Sequence, residues 1–378
     1  MTRVLIAADK FKGSLAAATV GSAITSGIRR VVGDAVEIIT IPVADGGDGT
    51  VAAAVAAGFT SVPVTAAGPT GELVESAWAR RGSTAVIEMA DVCGLVRLPG
   101  GRPDPLGATS RGLGEVIAAA IDRGCTEVVV GIGGSASTDG GSGMLQALGA
   151  RLLDVDGNEL GRGGGSLANL VAIDLAPLRN RVAGVTFTVA SDVDNPLTGP
   201  RGAAAVYGPQ KGATPHDVVA LDAALSHFAE VVHDATGAGD CEAPGAGAAG
   251  GVGYSAQSVL GAILRPGIDI VFDLVGFHEA LAPLGPGDLV ITGEGSLDEQ
   301  TLNGKAPAGV AAAAVARGIP AIAVCGRNRL PTDRLAQWGI SAVYTLMDVA
   351  PDPDTSRRHA ARLLGDLGER IARDHLAS

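Results

Sequence analysis

The chain is 378 residues long, 47% apolar but only 3% aromatic, with a formal charge of −12. That length suggests roughly two to three domains, with a core of Ala, Val, Leu and Ile suited to alternating helices and strands. The negative charge argues against nucleic acid or an anionic membrane as partner and for a cytoplasmic protein, so an anionic substrate would need local cations.

Four cysteines, Cys93, Cys125, Cys241 and Cys325, lie far apart without CxxC or Cys/His ligand spacing, and read as reduced core thiols. The start, MTRVLIAADKF, lacks the pattern of a secretory signal. The most apolar stretch, 308–325, is broken by Arg317, Gly318 and Pro320, so no membrane span is expected.

In chain order, VLIAA (4–8) reads as a strand. Ser14 is placed to cap a helix carrying Val20, Ile24, Ile28 and Val31 at helical spacing. VEIITIPV (36–43) is a second strand, ADGGDGT (44–50) a loop and 51–58 a short helix. ELVESAWAR (72–80) and STAVIEMA (83–90) form a hairpin across Arg81-Gly82. A helix over 109–123 and strands over 125–133 and 185–192 follow, separated by glycine-rich loops. The stretch 236–253 is nearly low in complexity and reads as a ligand-binding loop rather than a linker. Then come strand into loop at 288–295, helix 307–318, strand 319–326, helix 333–339, strand 341–347 and one closing amphipathic helix over 356–374.

Both ends thus form βα units of one parallel sheet. The expected architecture is two α/β domains. Residues 1–66 and 285–378 form one, and 67–284 form a second, inserted domain. No internal repeat is evident.

The chemistry is concentrated in the loops. Only four lysines occur among 28 basic residues, and all lie in glycine-studded segments: Lys10 and Lys12 in DKFKGS, Lys211 in GPQKGA and Lys305 in NGKAP. A compact ammonium beside a glycine-rich loop suits phosphate oxygens. GIGGSASTDGGSG (131–143) follows a strand and precedes a helix. It is the best phosphate cradle, exposing backbone N–H groups around Gly133, Gly134 and Ser135, with hydroxyls from Ser137 and Thr138. Asp45 and Asp48 stand at one strand end, and Asp192, Asp194 and Asn195 at another. Such carboxylates suit Mg²⁺ or a proton from a substrate hydroxyl, though a single Asp there often only forms a turn. GEGSLDEQTLNGKAP (293–307) adds Glu294, Asp298, Gln300, Thr301 and Lys305.

Several classes are excluded. There is no GxxxxGK[ST] P-loop, no protein-kinase signature set and no GxSxG elbow. DATGAGD (234–240) looks like the anion-hole motif of ribokinase-like sugar kinases, but it follows a helical run instead of opening a helix. A ribokinase-like sugar kinase, a non-catalytic nucleotide- or metabolite-binding regulator and a Rossmann oxidoreductase are the competing readings.

The ordered set DKFKGS, PVADGGDGT, GIGGSASTDGG, DVDNPLTGPRGAAAVYGPQKGA, PGAGAAGGVG and GEGSLDEQTLNGKAPAGVA resembles the bacterial glycerate kinase family, type I, across residues 9–311. The resemblance implies a flavodoxin-like domain built from both termini. It also implies an active site in a cleft between the two domains, and ATP- and Mg²⁺-dependent phosphorylation of D-glycerate to 2-phosphoglycerate. Relatives often carry Ser at Lys10, which leaves Lys12 the stronger candidate. Thr138 and Asn303 stand where relatives often have Asn and His.

The expected catalytic residues are Lys12, Asp192, Lys211 and Lys305, with Asp192 the preferred base or metal ligand. Substrate and nucleotide fall to Asp9, Ser14, Asp45, Gly46, Gly47, Gly133, Gly134, Ser135, Asp139, Asn195, Glu294, Asp298, Gln300 and Thr301. Mg²⁺ falls to Asp45, Asp48 and Asp192. A monomer or homodimer is expected.

Overall fold

The computed structural model describes residues 1–299, 301 and 305–377. Its strands are β1 (Thr2–Ala8), β2 (Val36–Pro42), β3 (Thr60–Ala67), β4 (Leu73–Arg81), β5 (Thr84–Glu88), β6 (Glu127–Gly131), β7 (Arg151–Leu153), β8 (Ala172–Asp174), β9 (Thr186–Ala190), β10 (Ile263–Arg265), β11 (Leu289–Leu297), β12 (Ala321–Asn328) and β13 (Ile340–Thr345). They form one five-stranded sheet, one six-stranded sheet and a small β7–β8 pair.

Contacts divide the chain into two compact units. The first holds residues 1–45, 52–58 and 268–378, and the second 46–51 and 59–267. Three stretches depart from the boundaries read at 66 and 285, and the first of them, 46–51, goes with the second unit. Residues 60–67 form β3, which pairs with β4 over eight residues, so they go with the six-stranded sheet. Residues 268–284 bury Ile268, Val271, Phe272 and Phe277 in the core of the first unit.

In the first unit the strand order is β2-β1-β11-β12-β13, with every pairing parallel. Numbered within the unit this is 2-1-3-4-5, the flavodoxin-like order, which reverses between β1 and β11. Val4, Leu5, Ile6 and Ala7 are fully buried because both sheet faces are covered. One face meets helix Ala17–Val32, which buries Val20, Ile24 and Ile28 as the spacing requires. That helix packs tightly on helix Ala360–His375, since a Cβ on Gly27 would lie 2.0 Å from the Gly365 carbonyl.

Three local expectations need correction here. Ser14 does not cap helix Ala17–Val32; its hydroxyl donates to the Arg357 carbonyl at 2.9 Å. The closing helix is two helices, Pro353–Arg358 and Ala360–His375, parted at His359, with Asp352 capping the first through the amides of Asp354 and Thr355. The strand read within 288–295 runs on to Leu297 before the turn at Asp298–Glu299. β12 runs beside it as far as Leu297↔Asn328, so the ladder continues.

In the second unit the order is β10-β9-β6-β5-β4-β3. The β4–β5 hairpin turns at Arg81-Gly82 as read, with Arg81 opposite Thr84 and Gly82 at φ +60°. β5, β6, β9 and β10 run parallel. The glycine-rich stretch 236–253 is not an open loop. Residues 245–248 and 250–256 are buried, and helix Ala248–Ser258 begins with left-handed residues. A Cβ on Gly250 would lie 2.2 Å from the Ser137 carbonyl and one on Gly251 2.7 Å from Gly140 Cα, so these glycines are needed for close backbone packing. All four cysteines are free, three of them buried, as core thiols would be. Among the described residues no helix is long and apolar enough to cross a membrane.

Candidate functional site

The first unit gathers carboxylates where its strand order reverses. β1 and β11 run in register with Ala8 opposite Gly293, and Asp9 N–H donates to the Gly293 carbonyl at 2.8 Å. Asp9, just past the end of β1, and Glu294, within β11, therefore lie side by side near the carboxyl ends of the central strands, where open α/β folds bind ligands. Both are buried, Asp9 9% and Glu294 8% exposed. Burial, then the Asp45 charge, pushes the Asp9 carboxyl up to about 7, against the Lys10 amide donating to Oδ1 at 2.6 Å. Glu294 is also raised, first by burial, while the Thr301 hydroxyl donated to its Oε1 and the Lys305 charge pull the other way.

Lys305 is the N-cap of helix Ala306–Val315 and is half-buried. A cation there opposes the helix dipole, so stability does not explain it, whereas a negative neighbour does. Thr301 is fully buried, and its Oγ1 accepts from the Asp298 amide at 3.0 Å, which ties the turn to Glu294. Gln300 lies outside the described residues.

Lys12 stands at the exposed tip of the Phe11–Leu15 turn, which closes through two Phe11–Leu15 backbone hydrogen bonds of 2.9 Å with Gly13 at φ +75°. A Cβ on Gly295 would come within 3.2 Å of Lys12 N, so this turn lies close along β11. Ser14 is occupied by Arg357, as described.

The second unit carries the glycine-rich turn after β6. Gly133 and Gly134 are exposed, with Gly134 at φ +73°, and Ser135 follows, buried. Gly46 and Gly47 cross this strand end. A Cβ on Gly131 would lie 2.5 Å from the Gly46 carbonyl, and one on Gly133 would lie 3.2 Å from Gly47 Cα. Lys211 is 3% exposed, and its Nζ donates to Ser135 Oγ at 2.9 Å and to the Ser137 carbonyl at 2.6 Å. Burial lowers its pKa to about 7.

Asp139 and Asn195 are held by hydrogen bonds within the protein itself. Asp139 is fully buried and accepts five hydrogen bonds, from Ser110 N and Oγ, Thr109 Oγ1, Gly141 N and Gly143 N. It is the clamp between the turn and the start of helix Arg111–Asp122. Asn195 donates to the Arg201 carbonyl and accepts from Tyr207 Oη. Asp192, at the end of β9, is exposed and accepts from Gly267 N at 2.8 Å. Among the described residues no three His, Cys, Asp or Glu side chains gather as a metal site.

Glu88 was missed by the sequence reading. It ends β5, is buried, and accepts from Gly49 N at 2.5 Å and Val51 N at 2.9 Å. Burial, then the charges of Asp91 and Asp48, pushes it up to about 7. The available signal was an acid closing an apolar strand. DATGAGD closes helix Pro215–Thr236 instead of opening one, with Gly237 at φ +68°, and Asp240 is exposed.

The glycerate kinase family model matches residues 4–376. The chain belongs to the glycerate kinase family. It is 45% identical over its full length to the glycerate kinase of Bacillus subtilis (strain 168), covering 97% of that protein. It is 44% identical to the glycerate 2-kinase of Escherichia coli (strain K12), over 91% of this chain and 90% of that one. A crystal structure assigned as glycerate kinase 2, from Salmonella typhimurium LT2, superposes with a TM-score of 0.86 at 40% identity, over 99% of this chain and 98% of that one. The carboxylate group and the glycine-rich turn thus lie in a glycerate kinase family scaffold.

Proposed function

We propose that this chain is a glycerate kinase, which transfers the γ-phosphoryl group of ATP to the 2-hydroxyl of D-glycerate, giving 2-phosphoglycerate and ADP. The observation that carries this reading is the end-to-end match to the glycerate kinase family, residues 4–376. The name of the Escherichia coli relative, glycerate 2-kinase, supports the 2-position.

Phosphoryl transfer needs positioning and charge neutralisation more than covalent help from the protein. The N–H groups around Gly133–Ser135 hold the nucleotide phosphates. Lys305 neutralises charge on the substrate carboxylate or the moving phosphoryl group. Asp9 takes the hydroxyl proton as the new O–P bond forms and the bond to ADP breaks. A base is most effective with a pKa near the working pH, and Asp9 at about 7 meets that, which moves this role from Asp192 to Asp9. Glu294 and Asp45 keep Asp9 basic and accept from the glycerate hydroxyls.

Mg²⁺ typically takes one or two carboxylates plus waters and phosphate oxygens. Asp48 or Asp192 would hold it, and it would supply charge screening between the phosphates.

The test is ³¹P NMR of the purified protein with Mg-ATP and D-glycerate. ADP with a 2-phosphoglycerate resonance supports the reading. A 3-phosphoglycerate resonance keeps the kinase and moves the acceptor hydroxyl. Folded protein that forms no phosphoester overturns it.

A further inference from the structure

Lys211 is a cation whose ammonium is held by protein groups. It ends the short turn Pro209–Lys211, and Gly212 follows at φ +89°, where a Cβ would lie 2.4 Å from Pro103. Its ammonium is enclosed and already committed to Ser135 Oγ and the Ser137 carbonyl. Ser135 lies between this buried cation and the exposed pair Gly133–Gly134.

The proton count then decides the geometry. With Lys211 protonated, the form that a bound anion favours, its ammonium only donates, and a serine hydroxyl has one proton and two lone pairs. Ser135 Oγ therefore accepts from Lys211 and must direct its own proton elsewhere. Among the described residues no protein group accepts that proton. A hydroxyl that accepts from a cation is also polarised into a better donor.

We propose that Lys211 is a positioning residue that acts through Ser135, pinning the Ser137 carbonyl and turning the Ser135 O–H outward to donate to an oxygen of an anionic ligand. The ligand is a nucleotide phosphate, and in this the inference rests on the kinase reading above. Lys, a compact point charge on a flexible stem, fits this enclosed position in a chain whose cations are mostly Arg.

The experiment is the equilibrium affinity of the full chain for MgADP, with ATP KM and kcat, for Ser135→Ala, Lys211→Gln and the double variant. Each single change should weaken ADP binding by ~10-fold or more, the scale of a lost charge-assisted hydrogen bond. The double variant should be within ~3-fold of the worse single one, because either change breaks the same relay. Losses that multiply would mean that Lys211 meets the ligand itself and would overturn the proposal. A Ser135→Ala variant within ~3-fold of wild type would make Lys211 purely structural and would also overturn it. That second arm decides alone if Lys211→Gln does not fold. Wild-type protein that binds ADP but does not phosphorylate glycerate overturns the functional reading and leaves the binding cycle to judge Lys211. Protein that binds no ADP overturns both.

Discussion

The Asp9 amide donates to the Gly293 carbonyl at 2.8 Å, extending the β1–β11 ladder by one residue past Ala8↔Gly293. That bond fixes two acids, Asp9 and Glu294, next to one another where the strand order reverses. Their mutual repulsion is a cost that a purely structural carboxylate pair would not need to carry.

Asp9→Asn should therefore separate stability from activity. The Asp9 carboxyl is raised from its ordinary 3.8 to about 7, so the native state binds its proton more tightly than the unfolded state does. The resulting penalty is fully present above pH 7 and is relieved as pH falls from 7 towards 3.8. Removing the charge should raise unfolding free energy at pH 8 by about 1–3 kcal/mol and change it little at pH 4. Over the same pH range kcat/KM of wild type should rise with an apparent pKa near 7, and the variant should lose about 10²–10⁴-fold. Urea denaturation at the two pH values and pH-rate profiles check both halves.

Glu88→Ala should loosen the turn that carries Gly46, Gly47 and Asp48. Its carboxylate is the acceptor for Gly49 N and Val51 N. Without it, amide hydrogen exchange across residues 46–51 should quicken by about 10-fold or more while the rest of the sheet keeps its protection. Activity should fall with it, since small displacements of a positioned group cost about 10²-fold.

Asp139→Ala should act on stability first. Its five donors include three backbone amides in buried surroundings, at Ser110, Gly141 and Gly143. Leaving them without an acceptor should cost about 3–5 kcal/mol, read as a lower denaturation midpoint at unchanged slope. A stability within about 0.5 kcal/mol of wild type would show that this clamp does not hold the fold together.

Asp240→Asn tests the sugar-kinase reading. Asp240 is exposed beyond the end of helix Pro215–Thr236, where it accepts from the Glu242 amide at 2.8 Å. Glycerate kinase activity should stay within about 2-fold and stability within about 0.5 kcal/mol. Loss of activity would return the ribokinase-like mechanism to consideration.

What the sequence determined by itself is what local chemistry determines. Apolar runs such as VLIAA and the helical spacing of Val20, Ile24 and Ile28 encode buried strands and a one-faced helix, and Arg81-Gly82 encodes a hairpin turn. The ordered glycine-, acid- and lysine-bearing segments were enough to mark the family. The tertiary structure alone decided which of those polar groups face one another. Asp9 and Glu294 are 285 residues apart and meet only through parallel pairing, and Lys211 meets Ser135 across 76 residues. The same Asp in a glycine-rich turn can serve a ligand or clamp a backbone, and Asp139 clamps because five donors from two segments converge on it. Burial and long-range hydrogen bonding set that choice, and neither is written in the spacing of residues along the chain.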